Sequence, residues 1–593
     1  MQLFEDIKIS VIEAVQNVFG ETVDDANIAV QHTRKDFDGD VTIVVFPLLR
    51  ISKKSPEETG EVLGSFLVKN VAIVSGFNVV KGFLNLIITD SYWVNLLREI
   101  HANGSFGIET SNSGKTIMVE YSQPNTNKPL HLGHLRNNML GYSLANILKA
   151  NGHKVIKANI INDRGIHICK SMLAWMRWGN GETPESTGMK GDHLVGKYYV
   201  EFNTHYKAEI KELVNSGVTE EEAEKTAPLI LEAQEMLKKW EAGDSDIVST
   251  WKELNSWVLK GFDESYKKLG VDFDKVYYES DTYLLGKQHV SRGLEKEYFY
   301  KKDDGSVWCD LEEAKLDPKL LLRSDGTSVY ITQDIGTAVQ RFKDYKLDRQ
   351  IYVVGNEQNH HFQVLFAILK KMGYTWADSN YHLSYGMVEL PSGKMKSREG
   401  TVVDADDIMD EMIATAKKLS LELGKLDDIP DEEKEKLYEI IGLGALKYYL
   451  VKVEPKKQML FDPEESIDFN GHTGPFIQYA YTRIQSLLRK AGTRHYNYDD
   501  HNYNLDPLEK GIIRLINQYP SVIKEAGDSL SPALIANYVY ELAKEFNHFY
   551  QSLPILKLDD EQIIAFRINL AETTGRVIKS ALKLLGIEVP DRM

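Results

Sequence analysis

The stretch Val119-Glu-Tyr-Ser-Gln-Pro-Asn-Thr-Asn-Lys-Pro-Leu-His-Leu-Gly-His134 decides how the chain is read. It follows a β-rich run, Thr116 to Ser122, and leads into a segment whose Leu140, Leu144, Ile147 and Leu148 fall on one helical face. Two prolines and a glycine make the residues between them a loop. Lys128, His131 and His134 therefore sit in the turn between a strand and a helix. There, free backbone N–H groups and the positive end of the helix dipole favour bound phosphate. Gly133 lets a nucleotide approach the backbone closely, and both imidazoles can donate hydrogen bonds. A helix cap with two incidental histidines has the same appearance, and H-x-G-H alone leaves the two readings level.

Further strands are expected at 154–161 (KVIKANII) and 351–355 (IYVVG), and their alternation with helices points to a parallel sheet covered on both faces. A long charged helical stretch at about 190–270 interrupts that alternation as an insertion. Residues 1–110 read as an α+β module, with strand candidates at 41–46 and 82–89, and a Gly, Ser and Asn break near 110 closes it. From 425 to 593 strand signals almost vanish and amphipathic helices take over, which predicts a helical bundle. The expected fold is α/β from 111 to 424, flanked by α+β and all-α domains.

Composition limits the partners. With 593 residues, 42% hydrophobic and 26% charged, the chain is a folded multidomain protein, which excludes collagen-like and wholly disordered classes. A net charge of −17 argues against a uniformly basic coat, so a polyanion must meet local basic patches. The opening residues lack a secretory pattern, and no apolar run approaches the ~20 residues of a membrane helix. Cys169 and Cys309 alone allow neither a disulfide framework nor a four-cysteine zinc site. The expected address is the cytoplasm.

The longer string from Pro124 to His134 resembles the arginyl-tRNA synthetases, a family of class I aminoacyl-tRNA synthetases with a Rossmann-like catalytic domain. Similar strings follow in the family's order at 323–338, 352–365, 385–403 and 469–488, and the chain ends in Asp591-Arg592-Met593. The second class I motif appears as Gly393-Lys-Met-Lys-Ser-Arg-Glu-Gly400, with Ser397 where a second lysine is usual. The resemblance implies that Lys128 supplies the missing charge, beside His131, His134, Lys394, Lys396 and Arg398 as catalytic groups. It implies ATP, brought with Mg²⁺, on Pro124, Asn125, His131, Gly133, His134, His361, Gly386, Met387, Val388 and Lys394. Arginine is a planar cation with five donors, so its selection calls for fixed carboxylates. The resemblance assigns it Glu120, Gln123, Asn125, Tyr330, Asp334 and Gln358. Gln333 stands where the family commonly has an arginine.

For tRNA(Arg), the likeness offers Phe83 and Asn85 in the first domain and Gln478, Tyr479, Arg483, Tyr538 and Met593 in the last. Aromatic residues interleaved with cations suit stacking and phosphate neutralisation, although such a stripe is more often core. The implied reaction joins L-arginine to tRNA at the expense of ATP, in a monomer with no membrane partner and no zinc. A paralogue that binds tRNA without ligating is disfavoured by the presence of both nucleotide motifs. A nucleotidylyltransferase leaves the helical last third unexplained. Gly191 to Tyr198 nearly spells a P-loop but ends in tyrosine and follows no apolar strand, so it reads as a loop opening a helix. His131, His134, His360 and His361 lack the further ligands a structural zinc needs.

Overall fold

Five short strands, the inner ones mostly buried, build the central sheet. They are Thr116–Glu120 (β1), Lys154–Ile161 (β2), Lys275–Tyr278 (β3), Arg349–Gly355 (β4) and Asn380–Tyr385 (β5). All pair in parallel, in the order β5-β4-β1-β2-β3. Glu120 lies opposite Tyr352 on one side and Ala158 on the other. The order reverses at β1, and in open parallel sheets ligands bind at the carboxyl ends of the strands beside such a reversal. The structure, a computed structural model, describes residues 2–34, 36–111, 114–389, 403–423, 430–492 and 503–593.

Three helices matter for the crevice: Leu132–Ala150 (α1) after β1, Tyr330–Tyr345 (α2) before β4 and Asn359–Lys371 (α3) after it. The sequence shows α1 as one apolar stripe. The structure buries Arg136, Asn137, Asn138 and Ser143 as well, so most of its circumference faces protein. Gly141 lets it lie directly on the Tyr121 ring. On the sheet's other side, Ile335 and Ala338 of α2 pack with Tyr352 and with Phe362, Leu365 and Ile368 of α3.

The insertion is helical, with Gly191–Asn215, Glu220–Thr226, Pro228–Glu241 and Ser245–Leu269 between β2 and β3. The P-loop lookalike is simply the start of the first of these helices. Its glycines serve packing: a Cβ on Gly196 would come within 2.8 Å of Pro129, and one on Gly191 would strike the Trp257 backbone. The sequence did not foreshadow a small antiparallel sheet of Tyr300–Lys301, Val307–Cys309 and Lys319–Leu322. Its strands of two to four residues are too short to show an alternation.

The chain forms two compact units: residues 1–107 with 483–522 and 541–578, and residues 108–482 with 523–540 and 579–593. The first contains an antiparallel sheet ordered Ala29–His32, Val41–Val44, Phe83–Ile88, Val74–Val80. Among the described residues, no helix is long and apolar enough to cross a membrane.

Within the first unit Glu509 is fully buried. It accepts from Arg567 Nε at 2.7 Å, from the Tyr503 hydroxyl at 3.0 Å and from the Asp506 N–H at 2.9 Å. Removing one member of a buried pair strands the other charge. Arg567→Met should therefore lower unfolding free energy by about 3–5 kcal/mol, and Arg567→Met/Glu509→Leu should recover much of that loss. Urea unfolding of the three proteins checks this, and a double variant no better than the single one would refute it.

Candidate active site

The exit of β1 is strained. Ser122 and Gln123 both adopt left-handed backbone, with φ of 84° and 49°. Such conformations persist in non-glycine residues only where the surroundings hold them. Here Asn137 Oδ1 takes the Ser122 N–H at 2.6 Å, Tyr266 meets the Ser122 hydroxyl at 2.6 Å, and Asn159 Oδ1 takes the Gln123 N–H at 3.1 Å. Asn137 also donates to Val353 O at 2.8 Å and to Gln123 Oε1 at 3.2 Å, tying α1 to β4 across the crevice. Further along the loop Asn162 N–H donates to Pro124 O at 2.9 Å, which pins Asn125 beside the end of β2.

Next comes the histidine turn. His131 is the N-cap of α1, and its Nδ1 accepts from the Gly133 N–H at 3.1 Å. His134 answers, its Nδ1 accepting from the His131 N–H at 3.1 Å. This is a reciprocal capping box made of two imidazoles. Each Nδ1 is an acceptor, so in the neutral ring the proton sits on Nε2, which is left as a donor. Burial, then the charge of Lys128, pushes His131 down to about 3. Burial, His131 and Lys128 hold His134 well below its usual value. Both rings are thus neutral donors at physiological pH, with centroids 3.9 Å apart. Lys128 is itself lowered by burial, and no carboxylate pairs with it among the described residues. The turn is a half-buried cation beside fixed donors, with no counter-charge.

On the other side of the crevice lie the acids. Asp334 on α2 pairs with His361 Nε2 of α3 at 2.6 Å. Sequence reading put His361 beside the nucleotide, whereas the structure puts it on the acidic socket. Glu120 is buried and meets the fully buried Arg341, and its other oxygen takes the Gln123 amide at 3.1 Å. It is therefore already neutralised, and it orients Gln123 rather than waiting for a cation. Tyr330, 74% exposed, opens α2, and Gln358 is exposed at the end of β4.

Glu279 belongs to none of the motifs that mark the site in the sequence. It is buried just past β3, and burial, with Asp163 and Asp334 adding to it, pushes its carboxyl up to about 7. Arg164 opposes that shift but is committed to Glu241 at 2.6 Å, and a hydrogen bond from Gln333 opposes it too. The one clue available earlier was positional, since Glu279 stands at the carboxyl end of a parallel strand.

At the nucleotide end, Gly386 uses both backbone groups internally. Its N–H donates to Pro455 O at 2.9 Å, and its C=O accepts from Arg136 Nη1 at 2.6 Å. Met387 O accepts from the Met459 N–H at 3.1 Å. Of the three residues expected to offer backbone to adenine, Val388 keeps its N–H and C=O on the edge away from that ladder. Lys394, Lys396 and Arg398 lie outside the described residues. Just beyond them the chain returns to the histidine turn, Ala405 N–H donating to Leu130 O at 3.0 Å. Among the described residues one cluster has metal-ligand character, Asp192, His193 and Asp406. Lys190 Nζ, 3.2 and 2.6 Å from the two carboxylates, already supplies a cation there.

Two expected tRNA contacts face inward. Asn85 is 1% exposed and bonds Thr42 at 2.6 Å and Asn78 at 2.8 Å within the N-terminal sheet. Gln478 is fully buried and donates to Ile440 O and Glu588 O. Asn85 closes a side-chain network and Gln478 satisfies buried carbonyls, which sequence spacing does not reveal. Tyr538 is also buried. Phe83 is half-buried, edge-on to the exposed Phe46 at 5.9 Å, and Tyr479, Arg483 and Met593 are partly exposed, Arg483 lying over Tyr550.

Glu279 yields a test with a definite sign. A carboxyl raised in the folded state binds a proton that the unfolded state has released, so stability falls as pH climbs from the unfolded value near 4.5 through about 7. Glu279→Gln should be on the order of 2 kcal/mol more stable than the parent at pH 8, with the difference fading toward pH 5. Urea midpoints at both pH values check it, and an advantage that grows on acidification would contradict it.

The geometry now stands beside known proteins. Residues 97–462 match the family model for the class I (R) tRNA synthetase catalytic domain, and residues 477–593 match the DALR anticodon binding domain. The chain is 56% identical to the arginine–tRNA ligase of Bacteroides fragilis over 597 residues and 57% identical to that of Flavobacterium psychrophilum over 608. Each alignment covers 100% of both chains. Arginyl-tRNA synthetase from Thermus thermophilus superposes with a TM-score of 0.79 at 26% identity over the full length of both chains. With a full-length match in sequence and in fold, a class I catalytic domain and a DALR domain, this chain belongs to the arginyl-tRNA synthetase family.

Proposed function

We propose that the protein is an arginine–tRNA ligase, using Mg·ATP as the substrate complex and charging tRNA(Arg) for protein synthesis. What supports this is a cationic turn after β1, with no carboxylate partner for Lys128 among the described residues, and an acidic group, Asp334, on α2, both on elements that meet the carboxyl ends of the parallel strands. The triphosphate lies on the N-terminus of α1, taking hydrogen bonds from His131 and His134 Nε2 and charge from Lys128. The arginine guanidinium docks on Asp334, with Tyr330 and Gln358 at the rim and Gln123 and Asn125 nearest the reacting carboxylate.

The arginine carboxylate attacks the α-phosphorus, the bond to the bridging oxygen breaks and pyrophosphate leaves. Neutral imidazole donors suit this step, because charge migrates onto the departing oxygens while no proton has to move. The residues at 394–398, assigned on sequence alone, add charge to the leaving group. A hydroxyl of the terminal ribose, the 2′ in class I enzymes, then attacks the carbonyl of the adenylate and releases AMP. The chain's work is positioning and charge stabilisation, with no covalent enzyme intermediate.

In this reading residues 1–110 and 425–593 bind the tRNA, residues 111–424 are the catalytic domain, and the protein acts as a cytoplasmic monomer without zinc. Phe83, Tyr479, Arg483 and Met593 remain as tRNA contacts.

Pyrophosphate exchange with arginine and cognate tRNA tests the activity, and no exchange under any combination of the three substrates would reject it. Asp334→Asn should raise the arginine requirement by about 1.5–3 kcal/mol, the range for losing a hydrogen bond to a charged group, with tRNA affinity unchanged. Equal loss of both would count against the socket. Lys128→Ala should slow single-turnover adenylate formation about 10²-fold or more while arginine binding changes little. An unchanged rate would remove Lys128 from the chemistry.

A further inference from the structure

Arg136 is fully buried, and among the described residues no carboxylate faces it. Its guanidinium spends its donors on main-chain carbonyls: Gly386 at 2.6 Å through Nη1, and Lys457 at 2.9 Å and Pro455 at 3.3 Å through Nη2. Pro455 O is the same oxygen that accepts the Gly386 N–H. Gly386 is wedged in place, since a Cβ there would lie 2.5 Å from the Lys457 carbonyl. Arg136 stands two residues past His134 on the first turns of α1. One side chain thus joins the helix that carries the histidine turn to the strand end at 386–388 and to the 455–457 turn behind it. A buried cation held only by carbonyls on its two Nη atoms, with Nε left unpartnered among the described residues, is costly if its role is packing, because an apolar side chain would fill that space without desolvating a charge.

We propose that Arg136 is a positioning residue for the adenine ring: it fixes the Gly386–Val388 edge relative to His131 and His134, so that base and phosphates are read by one rigid unit. The proposal rests on the reading that this edge takes the adenine. Lysine keeps the charge, but its single nitrogen cannot span the carbonyls of Gly386, Pro455 and Lys457 as the two separated Nη atoms do.

The test is pyrophosphate exchange with saturating arginine and tRNA, comparing ATP with GTP, on Arg136→Lys, Arg136→Met and Gly386→Ala, with thermal unfolding measured on each. The wild type should prefer ATP. Arg136→Met should raise the KM for ATP tenfold or more and reduce the ATP-over-GTP preference in kcat/KM at least tenfold, with the arginine KM within twofold. Arg136→Lys should recover part of this. Gly386→Ala, which displaces the same edge with Arg136 intact, should reproduce the loss of base preference and carries the comparison if Arg136→Met does not fold. A preference unchanged in folded variants, or ATP and arginine KM values rising together, would overturn the positioning role. A wild type indifferent to the base would overturn the adenine assignment of the edge, and the proposal with it.

Discussion

The constraint on which the site depends is the double use of two imidazoles at the start of one helix. Helix N-termini leave backbone N–H groups without partners, and here the Nδ1 atoms of His131 and His134 satisfy two of them. That act fixes the tautomer. Once Nδ1 is an acceptor, Nε2 must carry the proton, and burial keeps both rings from gaining a second one. The cap and the proposed phosphate donor are therefore the two nitrogens of one ring. The structural reading of these histidines and the chemical one do not compete.

Around this turn the protein separates charges it has neutralised from charges it has left open. Arg341 and Glu120 form a buried pair that stiffens the β1 exit, and Lys190 satisfies Asp192 and Asp406 at the foot of the inserted helices. Lys128 has no carboxylate partner among the described residues, and Glu279 sits near Asp163 and Asp334 with its basic neighbour Arg164 already engaged by Glu241. Buried charge without a partner is unfavourable. In the proposed reading a polyanion on the histidine turn and a forked cation on the acidic side relieve both deficits.

The parallel sheet, the helical insertion, the N-terminal strands and the helical last third were legible in the sequence, because each has a hydrophobic period long enough to register. The short antiparallel sheet around Val307–Cys309 was not, since three residues make no period. Among the candidate site residues, the histidine turn and Asp334 could be singled out because each lies within its own local string. Arg136, Asn137 and Glu279 were invisible because their roles depend on partners far along the chain: Gly386, Val353 and Asp163. Asn85 and Gln478 failed in the opposite way. Their residue types fit RNA contact, and only burial shows that their hydrogen bonds are spent inside the fold.

The most direct measurement is a crystal structure of the protein with a non-hydrolysable ATP analogue and arginine. The account predicts triphosphate oxygens within hydrogen-bonding distance of Nε2 of His131 and His134 and of Lys128 Nζ, with the guanidinium on Asp334 in the same crevice. Phosphates bound away from the α1 N-terminus, or a guanidinium resting on Glu120 after displacing Arg341, would contradict it.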